Sequence, residues 1–287
     1  MTAFTAFTTL MGRDEAEALG EALEVLEPEG VGVFEIEDGS GRFEVAGYFT
    51  EKPDIAALAL IAMLHEAGDF VISDVPDTDW VAHVQRGLQP VEAGRFFLYG
   101  SHDADKVPEG KVALLIEAAM AFGTGHHGTT LGCLRLLDRL AERGFRPERV
   151  ADIGCGTAVL AMAAAKIWPE AEIVASDIDP LAVEVAEANL AANGMAGKVT
   201  CIEAVGFDHA ALKSGKFDLI FANILKGPLV ALAPELTDSL EVGGKAILSG
   251  LLNEQFPEIV DTYGKLGFIV DESEQILDWT SAILGHS

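Results

Sequence analysis

Cysteine is scarce in this chain. It has three, Cys133, Cys155 and Cys201, set far apart. The count is odd and no Cys-x-x-Cys occurs, which argues against a disulfide framework or a zinc site. Reduced, buried thiols in the cytoplasm are expected instead. Basic residues are scarce too. Nineteen stand against 46 acidic ones, a net charge of −27 over 287 residues. A field of that sign repels phosphate backbones and attracts basic partners. It disfavours direct contact with nucleic acid and favours a basic protein, with plain solubility as the competing explanation. Long apolar runs are also missing. The longest, Ile55 to Leu64, is about half of what spans a bilayer, and it reads as a core helix. The first ten residues, Met1 to Leu10, contain no basic residue and no extended apolar core. They do not read as a signal peptide, and no membrane association is expected.

What the chain does have is 49% hydrophobic residues and a length suited to two domains. The stretch that organises it runs from Val150 to Ala165, Val-Ala-Asp-Ile-Gly-Cys-Gly-Thr-Ala-Val-Leu-Ala-Met-Ala-Ala-Ala. A short apolar strand ends near Asp152, Gly154 and Gly156 make a tight turn, and an apolar helix follows. This arrangement seats a nucleotide-like ligand at the edge of a parallel sheet. The glycines let backbone approach ligand, and the helix N-terminus offers unpaired N–H groups. Asp177 lies 23 residues beyond Gly154. An acidic residue at the tip of the second strand hydrogen-bonds ribose hydroxyls. At least one of Asp177 and Asp179 must instead cap the helix opened by Pro180. The turn lacks the third glycine of the dinucleotide fingerprint, since position 159 is Val. NAD is therefore disfavoured. S-adenosylmethionine, which has no phosphate, asks less of the turn.

Before this unit, strands and helices alternate as β-α-β-β-α-β over about 75 residues, the order of a ferredoxin-like split unit. Residues 1–76 are assigned to that domain, with a recognition role. Residues 77–94 are read as a linker helix, with Trp80, Val84 and Leu88 on one face. Residues 95–287 form the second domain. Its alternating strands and helices predict a mostly parallel sheet covered on both faces. The ligand should lie over the carboxyl ends of the first strands, which carry Asp152 to Gly156, Asp177 and Asn223. Ahead of them, Ala121 to Thr130 packs three glycines, three threonines and two histidines into ten residues. Such a loop can fold over a ligand. Its adjacent histidines lack the i,i+4 spacing of a helical metal pair, and no metal is assigned.

Four segments occur in order: Phe122-Gly-Thr-Gly-His-His-Gly-Thr-Thr130, Asp152-Ile-Gly-Cys-Gly156, Asp177-Ile-Asp-Pro180 and Asn223-Ile-Leu-Lys-Gly-Pro-Leu229. Together they resemble the bacterial methyltransferases of the large-subunit ribosomal protein L-eleven, and the likeness covers essentially the whole chain. The resemblance implies a seven-stranded Rossmann-like class I methyltransferase domain preceded by a small ferredoxin-like α+β domain. It implies S-adenosylmethionine as cofactor, with Thr130, Gly154, Gly156, Asp177 and Asn223 at the site and Phe122 and His127 lining it. It implies methylation, up to trimethylation, of lysine and N-terminal amines of that ribosomal protein in the cytoplasm. Three positions depart from the family pattern. Gly128 stands for proline or glutamate, Ala158 for glycine, and Lys226 for alanine.

The acceptor amine must lose a proton before it attacks. An apolar pocket and an adjacent positive charge both lower its pKa. No dedicated base is then needed, and none is assigned; Asn223 and the backbone that follows it are expected to orient the amine through carbonyl oxygens. Two readings compete with this one. The first is methylation of another protein or a small molecule. The second is a non-enzymatic acidic module that holds a basic partner.

Overall fold

The computed structural model describes residues 3–26, 28, 30–35, 41–75, 90–116 and 127–286. The chain divides into two compact units, Met1–Arg86 and Gly87–Ser287.

In the first unit, strands β1 (Ala3–Met11), β2 (Gly30–Glu35), β3 (Arg42–Phe49) and β4 (Val71–Val75) form one antiparallel sheet in the order β2-β3-β1-β4. Helices α1 (Arg13–Leu23) and α2 (Ile55–Leu64) follow β1 and β3 in the chain. Successive strand residues face opposite sides of the sheet, and one side supplies the core. Ala6, Leu10, Val45 and Phe49 join Leu19 and Leu23 of α1 and Leu58 of α2 in one core. Asp54 accepts from the Ala56 N–H at 2.8 Å and starts α2. The expectation that Ile55 to Leu64 is a core helix is corrected here. Within α2 only Leu58 and Ala62 are buried. A two-helix layer on one sheet face leaves each helix a solvent side, and this helix has no polar residue to place there.

The second unit carries β8 (Arg149–Ile153), β9 (Glu172–Asp177), β10 (Thr200–Glu203), β11 (Phe217–Asn223), β12 (Leu240–Leu252), β13 (Phe268–Ile276) and β14 (Trp279–His286). They form a seven-stranded sheet in the order β10-β9-β8-β11-β12-β14-β13. Neighbours are parallel from β10 through β12, and β14 runs antiparallel to both strands beside it. The chain winds outward from β8 in one direction and from β11 in the other, so the switch point lies between them. Helices α3 (His127–Glu142), α4 (Val159–Ile167) and α5 (Pro180–Ala192) share one core with Val150, Ala175 and Phe221. Helices α6 (Lys226–Ser239) and α7 (Phe256–Gly264) share the other with Ala151, Val174 and Ala222. Tyr263 donates its hydroxyl proton to the Leu229 carbonyl at 3.0 Å and ties α7 to α6.

A separate small sheet joins β5 (Val91–Ala93), β6 (Phe96–Tyr99) and β7 (Val112–Leu115). Residues 91–93, expected as the end of a linker helix, pair antiparallel with β6 instead. Gly94, at φ +58°, lets the chain reverse at once. A three-residue strand shows too little alternation to be read in advance. Residues 77–89 of the expected linker lie outside the described residues. No helix among the described residues is long and apolar enough to cross a membrane.

Candidate active site

The site is built on the turn after β8. Gly154 and Gly156 adopt φ +70° and +52°, values that favour glycine. The N–H groups of Gly154 and Cys155 both donate to the Ser176 carbonyl, at 2.8 and 2.9 Å. The Gly156 N–H donates to Asp177 Oδ2 at 2.9 Å. The turn is thus clipped to the tip of β9. A Cβ on Gly154 would lie 2.4 Å from Ile224 Cγ2, whereas one on Gly156 would meet nothing within 4 Å. Gly154 therefore serves packing, and Gly156 borders open space.

The two aspartates of Asp177-Ile-Asp179 have separate tasks. Asp179 Oδ1 accepts from the Leu181 N–H at 2.9 Å and caps α5. Asp177 Oδ1 accepts from the Asp179 N–H at 3.1 Å. Asp177 is half-buried, and its two oxygens keep lone pairs beyond the two backbone donors. Asp152 sits beneath, fully buried, and accepts from the Ala161 N–H at 3.0 Å. Burial pushes its carboxyl up to about 7, and the nearby Asp177 charge adds to the rise. Ala158, where glycine is usual in the resembling family, keeps a left-handed conformation at φ 58°, ψ 25°. The turn geometry survives the substitution, and a non-glycine residue in that conformation costs about 1–2 kcal/mol.

Asn223 ends β11 beside Ser249 of β12. Among the described residues its side-chain amide has no hydrogen-bond partner. The next residue, Ile224, is seated between two glycines. Its side chain lies over Gly154, and its carbonyl lies where a Cβ on Gly250 would come within 2.3 Å. Lys226 does not stand as a lone cation, because its ammonium pairs with Glu258 of α7 at 2.8 Å.

Helix α3 brings Thr130 to the same edge. The Thr129 carbonyl is 3.4 Å from both Ser249 Oγ and Ser281 Oγ, which lie 2.6 Å from each other. Gly128 admits the hairpin of β13 and β14, since a Cβ there would sit 3.1 Å from Trp279 Cδ1. Arg139 holds the far end of α3 by pairing with Glu272 and Glu274 at 2.7 and 2.6 Å. Of the other expected residues, Phe122 and the side chain of His127 lie outside the described residues; the His127 backbone begins α3.

Sequence reasoning missed the apolar rim. Ile178, Leu181, Val205 and Leu225 are exposed, and all follow the carboxyl ends of strands. The Ala204 N–H donates to the Asp177 carbonyl at 2.9 Å, which holds Val205 close to that aspartate. Large apolar residues just past strand tips were the available signal. Burial pushes the Cys133 thiol up to about 12 and that of Cys155 higher still, so neither supplies a thiolate nucleophile. Among the described residues no cluster of three or more His, Cys, Asp or Glu is arranged to hold a metal. Gly156 borders open space, Asp177 keeps acceptor capacity, the Asn223 amide has no partner among the described residues, and the apolar rim follows the same strand ends.

Comparison with known proteins gives the same direction. Residues 11–286 match the family described as Ribosomal protein L11 methyltransferase (PrmA). The ribosomal protein L11 methyltransferase of Brucella abortus (strain S19) is 44% identical over 238 residues, covering 83% of this chain and 82% of that one. That of Mesorhizobium japonicum is 41% identical over 264 residues, 90% of each chain. The crystal structure of a ribosomal protein L11 methylase from Lactobacillus delbrueckii subsp. bulgaricus superposes with a TM-score of 0.61 at 27% identity, over 70% of this chain and 100% of that one.

Proposed function

The chain belongs to the ribosomal protein L11 methyltransferase family, and from that premise we propose that it methylates the large-subunit ribosomal protein L11 with S-adenosylmethionine as donor. The observation that supports the reading is that Gly156, Asp177 and Asn223 follow or close the carboxyl ends of the neighbouring strands β8, β9 and β11, with the Gly156 N–H bonded to Asp177. Gly154 and Gly156 form the turn against which the amino-acid end of the donor rests. Asp177 accepts the ribose hydroxyls. Ile178 and Val205 supply apolar surface beside it for the adenine, and Thr130 approaches from α3. Phe122 and His127 are assigned to the same site on the family pattern alone.

When bound, the donor supplies an electrophilic methyl group on a sulfonium. The chain's part is to deliver a neutral amine in line with it. A lysine amine titrates at about 10.4 when free, and an apolar, water-poor crevice lowers that value by disfavouring the charged form. The Asn223 amide oxygen accepts an N–H from the amine and aims its lone pair. Positioning supplies most of the rate. Lysine side chains and the N-terminal amine are the acceptors, up to the trimethyl state. The reaction is assigned to the cytoplasm, without membrane contact and without direct nucleic-acid contact, the last of which the net charge of −27 disfavours. Residues 1–76 recognise the protein substrate.

Calorimetric titration with S-adenosylmethionine separates this reading from a non-enzymatic acidic module. Saturable binding is expected. An absence of heat at high protein concentration would favour the module.

A further inference from the structure

Helix α2 is apolar all round. No charged or polar residue occurs from Ile55 to Leu64. Leu58 and Ala62 face the sheet, with Ala57 and Ile61 at the margin. Ile55, Ala56, Ala59, Leu60, Met63 and Leu64 all lie on the opposite half and are exposed, Met63 at 70% and Leu64 at 69%. The spacing i, i+1, i+4, i+5, i+8, i+9 makes them one continuous stripe. A surface helix ordinarily presents polar residues to water. A contiguous exposed apolar patch marks an interaction site.

The surroundings say what covers it. Helix α1 packs beside α2. Its solvent side carries Asp14, Glu15, Glu17 and Glu21, with Glu24 just beyond, all exposed. Of these, Glu17 pairs with Arg13. Over residues 1–75 the chain has 16 acidic residues against three basic ones, Arg13, Arg42 and Lys52. A second copy of this unit would bring like charge against like charge, which costs affinity. An apolar stripe beside a row of carboxylates fits a basic protein that offers an apolar ridge flanked by lysines or arginines.

We propose that the exposed face of α2, with the carboxylates of α1 alongside, is the surface on which the basic protein substrate docks before its amines reach the methyl donor. This rests on the function proposed above and gives it a place. The apolar stripe provides the desolvated centre of the contact, and the carboxylates form the polar rim that speeds encounter and sets orientation.

The test is the double variant Leu60→Glu/Met63→Glu in the full chain. Both side chains are more than half exposed, so the fold should hold. Purified ribosomal protein L11 is the substrate, and wild type is run in parallel. We expect KM for the ribosomal protein to rise at least about tenfold, which corresponds to about 1.4 kcal/mol. The rate at saturating substrate, the affinity for S-adenosylmethionine and the melting temperature should stay at wild-type values. Raising salt should increase the wild-type KM, as a charged rim requires. If wild type modified the ribosomal protein and the variant did so with the same KM, the docking face would be wrong and the proposed function would stand. If wild type left it unmodified, the function itself would fall and the docking face with it. A variant that lost donor binding or melted early would show that α2 serves the fold. A wild-type dimer that the variant converts to monomer would assign the face to self-association. Either result overturns the proposal.

Discussion

The Gly156 N–H and Asp177 Oδ2 are 2.9 Å apart, so the carboxylate that should hold the ribose also holds the glycine turn. Asp177→Ala removes both roles at once. A hydrogen bond to a charged group contributes roughly 1.5–3 kcal/mol, so the Kd for S-adenosylmethionine should rise about ten- to a hundredfold. Asp177→Asn keeps a neutral acceptor and should fall between. Titration calorimetry reads this directly, and unchanged affinity in the alanine variant would remove Asp177 from the site.

The two glycines of the turn should separate packing from ligand contact. Gly154→Ala puts a methyl 2.4 Å from Ile224 Cγ2 in a left-handed conformation. It should lower both the melting temperature and donor affinity. Gly156→Ala meets nothing in the free protein, so its stability loss should be limited to backbone strain of about 1–2 kcal/mol. Its donor affinity should nonetheless drop at least about tenfold, because the added methyl occupies space the ligand needs. A Gly156→Ala protein that bound the donor normally would mean that the open space belongs to solvent.

Asp152 gives the fold a pH dependence of known sign. Burial raises its carboxyl to about 7, against an unfolded value of about 3.9. Between those values the native chain holds a proton that the unfolded chain has released. This contribution to stability is complete below about pH 4, is lost as pH rises toward about 7, and is flat above. Asp152→Asn cannot ionise, yet its amide oxygen can still accept from the Ala161 N–H. Urea denaturation from about pH 5.5 to 7.5 should show a shallower decline for the variant than for wild type. Parallel curves would show that Asp152 is ionised throughout.

If Thr130 contacts the donor, Ser281 should act on that contact through α3. Its hydroxyl is 2.6 Å from Ser249 Oγ, and both approach the Thr129 carbonyl beside Thr130. Ser281→Ala should cost about 1 kcal/mol of stability and raise KM for S-adenosylmethionine more than it lowers kcat. Steady-state kinetics in the donor checks the split. An equal loss in both would mean that the serine pair does not position α3.

Much of this architecture could be read from residue patterns. Val150 to Ala165 announced strand, turn and helix through its apolar runs and its two glycines. Asn223 stood out because a polar residue closed the apolar run Leu219 to Ala222. Three features were hidden for physical reasons. The strand Val91–Ala93 is too short to show a period. The serine pair joins β12 to β14, 32 residues apart, and no local pattern encodes that meeting. The bare side of α2 was masked because an all-apolar helix looks the same in sequence whether its outer half is buried or open. The division of labour between Asp177 and Asp179 needed hydrogen-bond geometry, since both residues suit a helix cap.

The most direct measurement is the intact mass of purified ribosomal protein L11 after incubation with this chain and S-adenosylmethionine. The account predicts a ladder of added methyl groups, which forms much more slowly when Asp177→Ala enzyme is used at a donor concentration near the wild-type Kd. Fragmentation should place those groups on lysine side chains and the N-terminal amine. An unchanged mass, with the wild-type enzyme shown by calorimetry to be loaded with donor, would contradict it.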